Sequence, residues 1–595
     1  MPYVPRAYAC CHRSHAKKLP FERGSITILF GAGGTKELTM NFKFGVPTMS
    51  RRDFIKASSA AGLVFMGAGL AGCGGSQSSQ ESSAEEQKTV NIAVATAVVA
   101  LDPIVAGDAV SMGVITNCCE GLFVKDIKNQ SVNGLCDTYE VSDDQMTYRF
   151  HIRDGAKWSN GDAVTADDFV YAWQRNALAE NGAADFQYQI EMAALKNYED
   201  VLAGKKDVSE LGAKAADDQT IEVTLEHPVP FLLDLLAFTP WAPVQKKFRE
   251  EKGSNFALTK DDILYCGPYT LTQYDTSGNT ITLTKNPDYW DAANVDVDVV
   301  NLQVISDTQQ AVMAYENGTV DYVQLTGELV NQYKDDEGFE KESGNFNYYL
   351  MMNTTKEGLS NENFRIAIAY ALNREDICEN VLKDGSTPVN QMCMVGLYSK
   401  EDGTDFASAS PQLYAYDTAK AQEAWEKAKQ ETDVREFTIL YDQEKDFAQT
   451  TCAYIQDTLQ KTLDGLTINL ESTPKKNRIA REGTRDFEVC FHAWGPDYAD
   501  PTAILAMYES NHPSNYSSWK NDEFDATYEK ANTTDAGNAD ARWSELMRCN
   551  EICTEQAVCI PIYQTGTATI TKSSVKGITE HITGIPCYYK FVTKA

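Results

Sequence analysis

The sequence predicts an α/β protein built from several lobes. Three observations predict it. At 595 residues the chain exceeds what one hydrophobic core organises. Segments with a two-residue apolar period alternate with segments of helical period, and no repeat period runs through them. One strand–helix–strand run, over 437–470, has the form of a parallel crossover.

The elements follow in chain order. Residues 90–94 alternate as a strand that Leu101-Asp102-Pro103 breaks. Residues 146–152 and 220–225 alternate in the same way. Residues 167–178 read as a helix with Phe169, Trp173 and Leu178 on one side, and its Asp167-Asp168 pair suits the positive end of the helix dipole. Residues 269–271 and 279–284 form a hairpin through Asp275-Thr276-Ser277-Gly278. Helices follow over 364–372 and 417–429. Then come a strand over 437–441, a helix over 447–463 and a strand over 466–470.

The net charge of −32 is unevenly spread. Residues 1–72 hold ten Lys/Arg and three Asp/Glu, a charge of +7, so the remainder carries −39. Such an acidic body argues against nucleic acid, whose phosphates select clustered Lys and Arg. It fits either solubility outside the cell or attraction of cationic ligands. Of fifteen cysteines, Cys10, Cys11 and Cys73 precede the body and twelve lie within it. No CxxC pair occurs, and Cys549 and Cys553 have no matching cluster beside them, which argues against zinc. The body cysteines are either disulfides or buried free thiols.

Ser50-Arg51-Arg52-Asp53-Phe54-Ile55-Lys56 resembles a twin-arginine export motif. The Ala- and Gly-rich stretch 57–70 follows, too short and too weakly apolar for a transmembrane helix. Leu70-Ala71-Gly72-Cys73 resembles a lipobox, in which Cys73 receives a diacylglycerol. Two acyl chains anchor durably where one does not. Translation is expected to begin at Met49 or Met40, because residues 1–48 fit no export signal. Residues 73–88, dominated after Cys73 by Gly, Ser, Gln and Glu, read as a flexible tether. The expected location is the outer face of the cell membrane, or the periplasm, through a lipid anchor.

Seven segments carry a resemblance. They are Trp158-Ser159-Asn160-Gly161-Asp162 through Arg175, Asp217-Asp218-Gln219-Thr220 through Phe231, and Cys266-Gly267-Pro268-Tyr269. Lys285-Asn286-Pro287-Asp288-Tyr289-Trp290, Tyr315-Glu316-Asn317-Gly318 through Asp321 and Phe364 through Arg374 follow. The last is Trp494-Gly495-Pro496-Asp497-Tyr498-Ala499-Asp500-Pro501. In this order they resemble the oligopeptide-binding proteins of bacterial ABC importers, extracellular solute-binding protein family 5. The likeness spans about residues 89–590. It implies a three-lobed periplasmic-binding-protein type II fold with a hinged ligand cleft. Lobe I would comprise 89–123, 246–345 and 565–595, lobe II 124–245 and lobe III 346–564. The implied activity is capture of short peptides for delivery to a membrane permease, by a monomer that needs no cofactor.

A peptide brings an ammonium, a carboxylate and a row of backbone donors and acceptors, each costly to bury unpaired. The resemblance implies that Asp497 receives the ammonium. It implies backbone pairing of an extended peptide with Ala493, Trp494 and Gly495, and with a segment near 106–109 that includes Gly107 and Asp108. Trp494 and Tyr498 line the pocket or belong to the core. For the ligand carboxylate the family uses basic residues. One such arginine falls here on Phe491 and another near Arg481 and Glu482, so His492, Arg478 and Arg481 are the candidates.

An exported enzyme is the competing class. The sequence holds no H-E-x-x-H, G-x-S-x-G, phosphate-binding G-x-x-x-x-G-K or strand-linked G-x-G-x-x-G. The five histidines beyond Cys73, at 151, 227, 492, 512 and 581, have no metal-pair spacing. The same fold binding a dipeptide, sugar, nickel chelate or haem is the other alternative. Asp497 favours an amine-bearing ligand.

Overall fold

The computed structural model describes residues 87–180, 186–274, 279–400, 402–584 and 587–595. Arg51, Arg52, Cys73, the start site and the turn at 275–278 lie outside the described residues. At the far end of the expected tether, the Lys88 backbone N–H donates to Asp298 Oδ2 at 2.9 Å, and its ammonium pairs with Asp296 at 2.7 Å. No helix among the described residues is long and apolar enough to cross a membrane.

The first described strand, β1 (Thr89–Val94), belongs to the large sheet. The chain then builds a small antiparallel sheet from β2 (Cys136–Val141), β3 (Thr147–Ile152), β4 (Ala213–Ala215) and β5 (Thr220–Thr224), ordered β2-β3-β5-β4. On it lies the helix Ala166–Ala177, whose start is set by Asp168. That carboxylate accepts from the Thr165 N–H at 3.0 Å and from Trp158 Nε1 at 2.9 Å. Phe169 and Trp173 are fully buried in the core of this body, as their spacing predicts. Leu178 is 52% exposed, because the helix ends one residue before it.

The large sheet continues with β6 (Tyr269–Gln273), β7 (Thr280–Lys285), β8 (Val299–Val304), β9 (Tyr322–Leu325) and β10 (Phe339–Met352). It is completed by β11 (Glu436–Asp442), β12 (Thr467–Thr473), β13 (Val489–Trp494) and β14 (Cys559–Thr571). The order is β12-β11-β13-β10-β14-β9-β1-β8-β7-β6, and the short strand Thr387–Pro388 pairs with β14 off this path. The expected hairpin is the antiparallel pair β6–β7. The expected crossover is the parallel pair β11–β12, joined by the helix Asp446–Thr462.

Alternation decides what each face buries. On β10, Tyr348, Leu350 and Met352 enter one core while Tyr349 and Met351 enter the core on the opposite face. On β11, Phe437, Ile439 and Tyr441 likewise oppose Leu440. Both faces are covered, so these strands read as near-continuous apolar runs.

β10 and β14 are the long strands that run through both halves of this sheet. Their pairing breaks register between Ser343 and Asn347. There the Phe346 N–H donates to Thr565 Oγ1 at 3.2 Å, and buried Gln564 donates from Nε2 to the Gly344 carbonyl at 2.9 Å. All twelve body cysteines are free and buried.

Candidate functional site

β13 runs to Trp494, whose partner on β10 is Asn347. The next residue must be glycine: a Cβ at Gly495 would lie 2.7 Å from the Asn345 carbonyl oxygen and 2.9 Å from the Phe346 ring. Pro496 has no N–H and ends the ladder. Asp497 follows just past the end of β13.

The loop carrying Asp497 is held on both sides. Downstream, buried Asp500 forms a two-pronged pair with Arg542, at 2.7 and 2.9 Å, and accepts from the Thr502 N–H at 2.9 Å. This bidentate geometry fixes orientation as well as charge. Towards the four-stranded body, Tyr498 is buried and stacks on Phe231, with ring centroids 4.1 Å apart. The Ala499 N–H donates to Asp234 Oδ2 at 2.6 Å. Asp234 also accepts from Ser131 Oγ at 2.8 Å and pairs with the buried ammonium of Lys125. Trp494 is tied back by its indole N–H, which donates to the Ala503 carbonyl at 2.9 Å.

Asp497 itself is partly buried and makes no ion pair among the described residues. Burial pushes its carboxyl up to about 6, opposed by a hydrogen bond from Tyr188. Tyr188 is held from behind: it accepts from Gln189 Nε2 at 3.3 Å, and Gln189 Oε1 accepts from Trp241 Nε1 at 3.0 Å. A carboxylate in this setting is short of a cation. An ammonium would supply one.

The basic candidates sit differently. Arg478 is buried between Asp442, at 2.6 Å, and Glu482. His492 Nδ1 lies 2.8 Å from the same Glu482 oxygen and 3.0 Å from Arg478. Burial alone would raise the Glu482 carboxyl, but His492, Arg478 and Cys490 together hold it below the usual range. Arg481 pairs with Glu471 at 2.6 Å. Protein carboxylates thus already engage both arginines.

Gly107 is exposed, and Asp108 caps the helix Ala109–Cys118 by accepting from the Ser111 N–H at 2.9 Å. Sequence reasoning missed Lys445, which donates to Tyr348 Oη at 2.9 Å and lies over the Tyr348 and Phe447 rings. Burial lowers its pKa, opposed by the charge of Asp442. Tyr348 pairs with Ala493, which places Lys445 beside the strand leading to Asp497.

A cavity of about 320 Å³ opens at the carboxyl ends of β1, β8 and β9, bordered by Ala95, Thr96, Ser306, Thr326, Ala109 and Glu580. β1 is parallel to both β8 and β9, and in open α/β sheets ligands gather outside such strand ends.

A family model described as bacterial extracellular solute-binding proteins, family 5 middle, matches residues 130–516. The dipeptide-binding protein of Lactococcus lactis subsp. cremoris is 29% identical over 520 residues, covering 85% of this chain and 94% of that protein. The structure of Listeria monocytogenes OppA bound to peptide is 31% identical with a TM-score of 0.68, covering 86% of this chain and 99% of that one. An oligopeptide ABC transporter substrate-binding domain from Bacillus anthracis is 32% identical with a TM-score of 0.69, covering 86% and 99%. These likenesses bear out the expected three-lobed α/β fold of periplasmic-binding-protein type II. With two thirds of its length inside one family model, and solved relatives spanned almost end to end, the chain belongs to family 5 of the bacterial extracellular solute-binding proteins.

Proposed function

We propose that the protein captures short peptides outside the cell and delivers them, intact, to the permease of an ABC importer. Asp497 carries this reading: a partly buried carboxylate with no cationic partner among the described residues, backed by Tyr188, suits a peptide ammonium. Ala493, Trp494 and Gly495 would offer backbone to an extended ligand, facing Gly107 and Asp108 across the cleft. Lys445 would meet the ligand carboxylate, since Arg478 and Arg481 already serve protein carboxylates. The lobes, 89–123 with 246–345 and 565–595, 124–245 and 346–564, would close over the ligand, the closed form being the one a permease recognises.

Cys73 would carry the lipid anchor and Arg51-Arg52 the export signal, and the protein would then stand on the outer face of the membrane. The names of the Lactococcus and Listeria relatives support the peptide as cargo. Mass spectrometry of ligands that copurify and are released by denaturation tests the reading. A ladder of intact short peptides is expected; a sugar, chelate or haem in their place would overturn it.

A further inference from the structure

The cavity at the ends of β1, β8 and β9 has a chemistry of its own. Its volume, about 320 Å³, is that of a small-molecule pocket, which begins at roughly 300 Å³. Its walls are largely aliphatic, from Ile92, Leu302 and Val323. Of the described residues lining it, Glu580 alone is charged. Glu580 Oε1 accepts from Tyr322 Oη at 2.6 Å, and the glutamate makes no ion pair among the described residues. Burial pushes this carboxyl up, and the charge of Glu342 on β10 adds to the push.

Two helix N-termini border the cavity, and each would by itself favour an anion. Both are already capped by carboxylates. Asp108 Oδ1 accepts from the Ser111 N–H at 2.9 Å, and Asp307 Oδ1 accepts from the Gln310 N–H at 2.8 Å. Asp108 Oδ2 is buried with no hydrogen-bond partner. The cavity therefore presents aliphatic walls, hydroxyls from Thr96, Ser306 and Thr326, and the single carboxylate of Glu580, which makes no ion pair among the described residues.

Resting on the reading of the ligand as a peptide, we propose that this cavity is a specificity subsite for a basic side chain, lysine or arginine, with Glu580 as its counter-ion. The aliphatic walls accept the methylene stem and the carboxylate accepts the charged head, which is how long cationic side chains divide themselves. Such a ligand completes a buried pair. A neutral side chain leaves Glu580 to be protonated or hydrated, at a cost. The subsite is distinct from Asp497, which takes the amino terminus.

The test is a binding scan by calorimetry with penta-alanine and pentapeptides carrying one lysine at each position in turn, each paired with its norleucine counterpart. At one internal position lysine is expected to bind at least about tenfold more tightly than norleucine, the scale of a charge-assisted hydrogen bond. Glu580→Gln is expected to erase that difference, while continued binding of the norleucine peptide shows the variant to be folded. Equal affinities for lysine and norleucine at every position would overturn the subsite and leave the peptide reading standing. So would a lysine preference that survives Glu580→Gln. Failure of every pentapeptide to bind the unmodified protein would overturn both.

Discussion

The Ala499 N–H donates to Asp234 Oδ2 at 2.6 Å, two residues past Asp497 and across 265 positions of chain. The same carboxylate compensates Lys125, whose side chain is 1% exposed. Removing it would strand a buried ammonium, the costly way to break an ion pair. Asp234→Ala is expected to lower unfolding free energy by about 3–5 kcal/mol in urea titrations. An unchanged midpoint would show that the pair is not needed.

Asp497→Ala is expected to weaken peptide binding by more than about tenfold, because a buried ligand ammonium would lose its partner. The carboxyl is raised from its ordinary 3.8 to about 6. Affinity should therefore hold above pH 6 and fall below it, as the group protonates. The stability sign is opposite to that of a salt-bridged aspartate. Ionising the raised group costs the fold in full above pH 6 and nothing below about pH 4. Asp497→Asn should thus raise the melting temperature at pH 7 and leave it unchanged at pH 4. Unchanged affinity in Asp497→Ala would remove Asp497 from the site.

Lys445→Met should weaken binding of peptides with a free carboxyl terminus by about tenfold and spare their amidated forms, because only the former carry the charge to be answered. Equal losses for both forms would assign Lys445 to packing against Tyr348 and Phe447.

The twelve body thiols should resist alkylation in the native protein and react after denaturation without reductant. The thiolate is the reactive species, and burial holds thiols such as Cys393, Cys452 and Cys490 protonated. Peptide mapping of alkylated sites checks this. A body cysteine blocked in both states would reveal a disulfide.

Cys73→Ser should move the protein from the membrane fraction to the soluble fraction, since the acyl chains would have no attachment point. Retention in washed membranes would count against the lipid anchor.

Strands such as β1 and β3 were legible because alternation is a local property, readable from five or six residues. Helix ends were read to within a few residues, and Leu178 fell on the wrong side of one such boundary. The basic candidates show where local reading stops. Arg478 is engaged by Asp442, 36 positions away, and by Glu482 one turn along its own helix, and Arg481 by Glu471 on β12. The Glu482 partner has the i,i+4 spacing that a helix brings together, but nothing near either arginine announces Asp442 or Glu471. Glu580 and Lys445 escaped for the same reason. A single charged residue in a loop has no period and no motif, and only the fold shows what surrounds it. Asp497 was found through a family motif, and its shortage of a cation is a property of tertiary structure alone.

Where β10 and β14 lose register, three residues of one strand meet the other largely through the Thr565 hydroxyl and the Gln564 amide. The Thr565 hydroxyl, at an exposed contact, can trade its protein partner for water at little cost, whereas regular ladder rungs and the buried Gln564 amide cannot. Twist applied to the sheet would therefore collect in these few residues, as in a torsion bar thinned at its middle. Each half could turn as a rigid plate, its aromatic stacking undisturbed. Ambient thermal energy could then drive the swing without unzipping a strand.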